Sequence, residues 1–276
     1  MKTLYLSDMD GTLLDSKARL TDKTADILNH LTDKGMMFTV ATARTYASVV
    51  PMMKNVNLRY PFVLMNGVCI FDPTELKSIR YNCIDSAAGK NILSVFEKNN
   101  KYPLMYFEEE GFITVEYKKL TTKSQEEYVN LRNKMYKKGF RKVDDFDFAD
   151  KNLVYIVTLD KGAEIEKIYN EVSKRDDVTV AFYPDNYCDE YFLEIFNNKT
   201  SKASAALEVK KMLGVDKIVA FGDNLNDLPL FEVADESYAV SNACDELKAA
   251  ATGIIGDNDS DAVADFLLER YNNGLI

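Results

Sequence analysis

The chain has 276 residues with 34 lysines and arginines against 44 aspartates and glutamates, and this length predicts a second domain or a large insertion beside one core. The formal net charge of −10 excludes a generic binder of polyanions such as nucleic acid. Four cysteines, Cys69, Cys83, Cys188 and Cys244, form no C-x-x-C pair, which excludes a zinc knuckle or disulfide framework and fits reduced thiols in a cytoplasmic protein.

Behind Lys2 the apolar residues before Asp8 are too few for a signal-peptide core. The charge-free stretch from Tyr60 to Phe71 is shorter than the ~18 residues a membrane span needs. From the N-terminus, Leu4 to Leu6 reads as a strand, and Ile27, Leu28 and Leu31 give one face of a helix closed by Gly35. Met36 to Ala41 reads as a strand, Tyr46 to Met53 as a helix, and Pro61 to Met65 as a third strand. Strands alternating with helices predict a parallel sheet covered on both faces, in agreement with continuous rather than alternating apolar runs. Such a sheet aligns the carboxyl ends of its strands, and so Asp8, Thr42 and Asn66, along one edge.

The middle of the chain has another rhythm. A helix after Asp85 carries Ile92, Leu93 and Phe96, and β-like runs at Leu104 to Phe107 and Phe112 to Tyr117 follow. A polar helix is expected to about Lys138, then a strand from Leu153 to Leu159 and a helix from Ile165 to Val172. Further β-like runs cover Val178 to Tyr183 and Tyr191 to Phe196. Paired strands with helices between them predict an α+β insertion over residues 83–196, leaving 1–82 and 197–276 as the core. Thereafter the alternation resumes with a helix from Ser201 to Leu213 ending at Gly214, a strand from Ile218 to Phe221, and a helix near Val263 to Leu268.

Four short stretches fall at strand ends or helix starts: Asp8-Met9-Asp10-Gly11-Thr12, Ala41-Thr42-Ala43-Arg44, Lys202, and Gly222-Asp223-Asn224-Leu225-Asn226-Asp227. Taken singly each has a plain structural reading: a tight turn at Asp10-Gly11, a helix cap at Thr42, a solvated charge at Lys202, an N-cap at Asn226 or Asp227. Together they are harder to dismiss, because Asp8, Asp10 and Asp223 would converge on one sheet edge. Clustered carboxylates raise each other's pKa unless a cation joins them, and a hard, oxygen-seeking ion, most simply Mg²⁺, fits this donor set. A lysine in the first turn of a helix opposes the macrodipole by roughly 0.3–1 kcal/mol, which is consistent with an anion beside it.

These residues, in this order along the whole chain, resemble the four motifs of the haloacid dehalogenase-like phosphatases. The large insertion between the second and third motifs is similar to the Cof-type branch with a C2 cap. The resemblance implies a Rossmann-like α/β core with an inserted α+β cap, and Mg²⁺-dependent hydrolysis of a small phosphomonoester such as a sugar phosphate. It implies that Asp8 is the nucleophile that forms an aspartyl-phosphate, and that Asp10 is the acid/base whose backbone carbonyl also touches the metal. Thr42 and Lys202 would hold the transferring phosphoryl group. Asp8, Asp10, Asp223 and Asp227 would surround Mg²⁺. Gly11, Thr12, Thr42, Ala43, Arg44, Asn66, Lys202 and Asn226 would contact the substrate. Ala43 and Ala203 stand where relatives commonly carry glycine, and each adds only a methyl group. Lys199 lies near the lysine position, but Lys202 falls on the matched one.

His30, the single histidine, sits in a helical segment away from these motifs and reads as a surface residue, which leaves histidine-based catalysis without support. No G-x-x-x-x-G-K-[ST] loop and no G-x-G-x-x-G fingerprint is present. Basic residues are frequent between Lys118 and Lys142, with Tyr128 and Tyr136 interleaved; a nucleic-acid face is one reading, a solvated helix face the plainer one. A phosphosugar mutase, or a non-catalytic phosphate-responsive regulator of the same fold, remains an alternative to the phosphatase.

Overall fold

The computed structural model describes residues 1–136, 139–184 and 189–276. Cys188 and the expected helix end near Lys138 lie outside them. The chain forms two compact units, Met1–Arg80 with Ser201–Ile276, and Tyr81–Thr200. The second unit extends past Phe196 because its last strand runs to Asn197, and the Asn198 amide then donates to the Asp177 carbonyl at 3.3 Å.

In the first unit, β1 (Thr3–Ser7) buries Leu4, Tyr5 and Leu6 in full, as a central strand covered on both faces must. α1 (Asp22–Asp33) starts where the Thr21 hydroxyl accepts the Thr24 N–H at 3.0 Å, and it turns Ala25, Leu28 and Leu31 inward. His30 is exposed on this helix, its ring edge-on to Tyr271. β2 (Met37–Val40) pairs parallel with β1, and α2 (Tyr46–Met52) follows. β3 (Phe62–Leu64) corrects the expectation of a third strand in the same ladder. It pairs antiparallel with β4 (Cys69–Asp72) in a three-stranded piece completed by β5 (Lys77–Tyr81). The cause is local: Met65, Asn66 and Gly67 all take positive φ (52°, 54° and 98°), which turns the chain back on itself. A parallel bridge between Ala41 and Val63 still joins the two sheets.

The second unit begins with α3 (Ser86–Lys98), whose first turn is capped by the Asp85 carboxylate accepting the Ala87 N–H at 2.9 Å. β6 (Leu104–Glu109), β7 (Phe112–Tyr117), α4 (Lys123–Tyr136), β8 (Phe140–Lys142), β9 (Asn152–Asp160), α5 (Gly162–Val172), β10 (Val178–Pro184) and β11 (Tyr191–Asn197) follow. The strands form a six-stranded sheet in the order β10-β11-β9-β6-β7-β8, with only the β7–β8 pair parallel. Ile92 and Phe96 of α3 and Ile165 and Ile168 of α5 pack with Met105, Phe107, Ile156, Leu193 and Ile195. In the basic stretch around α4, several of the described cations are paired with acids. Lys118 pairs with Glu97 and Asp145, and Arg141 with Glu109. Tyr128 packs toward the sheet against Phe192 while Arg132 lies 3.4 Å over its ring.

The remainder of the first unit comprises α6 (Lys202–Leu213), β12 (Lys217–Gly222), α7 (Leu228–Val233), β13 (Glu236–Ala239), α8 (Asp245–Ala250), β14 (Gly253–Ile254) and α9 (Ala262–Asn272). Its parallel sheet runs β14-β13-β12-β1-β2, so the carboxyl ends of β1, β2, β12 and β13 share one edge. Among the described residues no helix is long and apolar enough to cross a membrane.

Candidate active site

The ladder between β1 and β12 continues one residue past the strand, with the Asp8 N–H donating to the Phe221 carbonyl at 2.9 Å. Asp8 therefore stands at the sheet edge, almost fully buried. Beyond it the backbone winds through a turn over Met9–Leu13 closed by the Leu14 N–H on the Met9 carbonyl at 2.8 Å. Gly11 takes φ +73°, and a Cβ there would come within 2.5 Å of the Asp223 carboxylate. Glycine is required on both counts. Thr12 donates its hydroxyl to Asp223 Oδ1 at 3.1 Å, so the first and last motifs are bound side chain to side chain.

α6 starts at Ser201, whose hydroxyl accepts the Ser204 N–H at 3.0 Å, and this cap places Lys202 at the first helical position. Gly67 sits against the Ser201 carbonyl so closely that a Cβ there would overlap it. The Lys202 side chain is wholly enclosed, its Nζ 2.6 Å from Asp8 Oδ1 and 2.6 Å from Asp227 Oδ1. Lys199, by contrast, is exposed. The other oxygen of Asp227 accepts the backbone N–H groups of Asp223 and Asn224 at 3.1 and 3.2 Å. Asp227 thus fixes the turn that presents Asp223 as well as the ammonium that faces Asp8.

One carboxylate oxygen from each of Asp8, Asp223 and Asp227 lies within 4.8 Å of the others. Burial, reinforced by the charge of Asp227, pushes the Asp8 carboxyl well above the ordinary carboxylate range despite Lys202. Asp223 is pushed up to about 6, first by burial and then by Asp227, and its carboxyl is within hydrogen-bond reach of Asp8. Burial alone would lower the Lys202 pKa, but the charges of Asp8 and Asp227 outweigh it and hold the ammonium protonated. Three acids and one lysine leave surplus negative charge in a site of low dielectric. The all-oxygen donor set fits a hard divalent cation.

Asp10 lies outside that cluster. Its carboxylate is turned toward solvent and gripped by Arg44, Nε on Oδ2 and Nη2 on Oδ1, each at 2.6 Å. Thr42 is buried at the end of β2, and its hydroxyl accepts the Arg44 N–H at 3.2 Å. The Thr42 carbonyl accepts the Asn66 N–H at 3.0 Å, and Asn66 Oδ1 accepts from Asn226 Nδ2 at 3.3 Å. Ala43 and Asn226 are exposed at this edge, and Ala203 is buried behind Lys202. The structure therefore gathers Asp8, Gly11, Thr12, Lys202, Asp223 and Asp227 around one point. Thr42, Ala43, Arg44, Asn66 and Asn226 lie on the adjoining loops of the same edge.

Sequence reasoning passes over two residues there. Asn242, just beyond β13, donates Nδ2 to the Gly11 carbonyl at 2.8 Å, and Asn258 donates Nδ2 to the Leu14 carbonyl at 2.8 Å. Asn242 follows β13 on the same sheet edge as Asp8, Thr42 and Asp223. Gly67 carries a signal, since Asn-Gly after an apolar run marks a turn.

A family model described as haloacid dehalogenase-like hydrolase matches residues 5–267. The chain is 27% identical over 280 residues to a putative phosphatase of Haemophilus influenzae, covering 98% of this chain and 99% of that protein. It is 25% identical over 282 residues to the 5-amino-6-(5-phospho-D-ribitylamino)uracil phosphatase YwtE of Bacillus subtilis, covering 94% and 95% of the two chains. Its fold is that of a Thermotoga maritima crystal structure, with a TM-score of 0.81 at 22% identity, over 98% of this chain and 97% of the other.

Proposed function

The chain belongs to the haloacid dehalogenase-like hydrolases, and we propose that it is a Mg²⁺-dependent phosphatase that acts in the cytoplasm on a small phosphomonoester such as a sugar phosphate. The observation that carries this reading is the buried Asp8 carboxylate, held on one oxygen by Lys202 and faced by Asp223. Two curated relatives that span nearly the whole chain are phosphatases by name, and the name of one gives a substrate with its phosphate on a ribityl group.

In the proposed reaction a carboxylate oxygen of Asp8 attacks phosphorus. The Asp8–O–P bond forms as the bond from phosphorus to the ester oxygen breaks, and Asp10 gives its proton to the departing alkoxide. For this step Asp10 must leave Arg44 and start as the neutral carboxylic acid, a state it regains when it takes the proton of the attacking water. Water then attacks the phosphorus, Asp10 takes its proton, and the Asp8–O–P bond breaks to release phosphate. Lys202 and Thr42 hold the transferring group, with Gly11, Thr12, Ala43, Arg44, Asn66 and Asn226 along the edge where the ester docks. Positioning and electrostatics dominate such a transfer. Mg²⁺, when bound, offsets the negative charge shared by the attacking carboxylate and the phosphoryl oxygens. Asp8 and Asp223 are its side-chain ligands in this reading, with the Asp10 carbonyl beside them and Asp227 bracing the turn. The Tyr81–Thr200 unit corresponds to the inserted cap and sets which ester is accepted.

The test is phosphate release from a panel of small phosphomonoesters, with Mg²⁺ and with chelator, by the wild type and by Asp8→Asn. Release that needs the metal and disappears in the variant supports the reading. Undiminished release by Asp8→Asn would remove Asp8 as the nucleophile. No release from folded protein that binds Mg²⁺ would favour the mutase or the regulator.

A further inference from the structure

The nucleophile loop is tied at two carbonyls to the turns that follow β13 and β14. Asn242 Nδ2 donates to the Gly11 carbonyl at 2.8 Å, and Asn258 Nδ2 donates to the Leu14 carbonyl at 2.8 Å inside the protein. The two asparagines are joined, because Asn242 Oδ1 accepts the Asn258 N–H at 3.1 Å. Asn242 belongs to the turn after β13, and the same turn holds the opposite wall of the site. There the Val240 N–H donates to the Gly222 carbonyl at 3.2 Å and the Cys244 N–H to the Asp223 carbonyl at 2.9 Å.

We propose that Asn242 and Asn258 are positioning residues that strap the Asp8 loop to the Asp223 loop and so fix the spacing of the carboxylates that receive the cation. The inference rests on the metal-dependent reading above. Its physical basis is repulsion: Asp8, Asp223 and Asp227 crowd together, and carboxylates that share a site push apart unless something restrains them. Side chains join the two walls where Thr12 donates to Asp223 and where Lys202 bridges Asp8 and Asp227. The strap adds to this a restraint on the backbone, through carbonyls on each side. A site held at the correct spacing before the ion arrives binds it more tightly than one that must be ordered by it.

The experiment measures Mg²⁺ binding by titration calorimetry on the full chain, independent of turnover. The chains compared are wild type, Asn242→Ala, Asn258→Ala and the control Asn29→Ala. Asn29 has the same chemistry elsewhere in the unit, donating to the Asn55 carbonyl at 2.8 Å and accepting the Asn57 N–H at 2.8 Å. Each strap variant is expected to weaken Mg²⁺ binding by about 2- to 10-fold, the range for loss of one or two ordinary hydrogen bonds, while Asn29→Ala leaves it unchanged. Asn242 is exposed, so its variant folds even where Asn258→Ala does not. Wild-type affinity in Asn242→Ala, together with a lowered melting temperature like that of Asn29→Ala, would reduce the strap to ordinary stability and overturn the proposal. A wild type that binds no Mg²⁺ would instead overturn the metal reading, and the strap with it.

Discussion

The ammonium of Lys202 and the carboxylate of Asp227 meet at 2.6 Å with neither side chain exposed to solvent. Burying such a pair is costly, and removing one partner costs more, about 3–5 kcal/mol, because the other charge is left behind. Asp8 shares the same ammonium, so Lys202→Met strands two acids. The variant is expected to lose stability on that scale and to lose phosphate release by at least about 100-fold, as when a principal electrostatic contact to a reacting group is removed. Lys199→Met, three residues away and exposed, is the control that keeps both properties. Equal losses in the two variants would show that Lys202 has no special place.

Gly11 and Gly35 both take positive φ, +73° and +99°, but only one of them is crowded. An alanine Cβ at Gly35 meets nothing within 4 Å, so Gly35→Ala carries the backbone penalty alone, about 1–2 kcal/mol, and keeps full activity. At Gly11 the same atom would press on Asp223 Oδ2 at 2.5 Å and displace the carboxylate or the loop. Gly11→Ala is expected to bind Mg²⁺ more weakly and to release phosphate more slowly than its loss of stability alone would explain. Urea unfolding and Mg²⁺ titration of the two variants side by side make the comparison. Matching behaviour in both assays would mean that the contact between Gly11 and Asp223 has no functional weight.

The strands that carry Asp8 and Asp223 were legible because a strand buried on both faces is a continuous apolar run, and a charged residue directly after it is conspicuous. Burial of Lys202 was not legible. A lysine at the first turn of a helix looks alike whether it faces water or two acids, and only the tertiary approach of Asp227 and of Gly67 to Ser201 decides between them. Phe62–Leu64 has the composition of a parallel strand, and β3 meets Ala41 in a parallel bridge, but composition does not report that Met65 and Asn66 take positive φ and turn β4 back against it. β13, Glu236–Ala239, interleaves polar and apolar residues instead of forming a continuous apolar run, and β14 has two residues, so neither strand, nor Asn242 between them, stands out in the sequence. The turning of Asp10 toward Arg44 depends on where a long side chain from another loop arrives, which spacing along the chain does not encode.

Glu194 gives the second unit a pH dependence of its own. Its side chain lies on β11, and burial holds its carboxyl above the ordinary range even though the hydroxyls of Tyr155 and Tyr183 donate to it and Arg132 is near. The folded chain therefore retains this proton at pH values where the unfolded chain has released it. Between those two pKa values the folded state binds more protons than the unfolded state, so this residue makes stability fall as pH rises from about 4.5 through the raised value. Glu194→Gln keeps an oxygen to accept from the tyrosines but has no proton to lose. The variant is expected to be no more stable than wild type near pH 4.5 and to gain on it as pH rises to 8, as read from urea midpoints. A constant difference between the two chains across that range would mean that Glu194 ionises in the folded protein as readily as in the unfolded one.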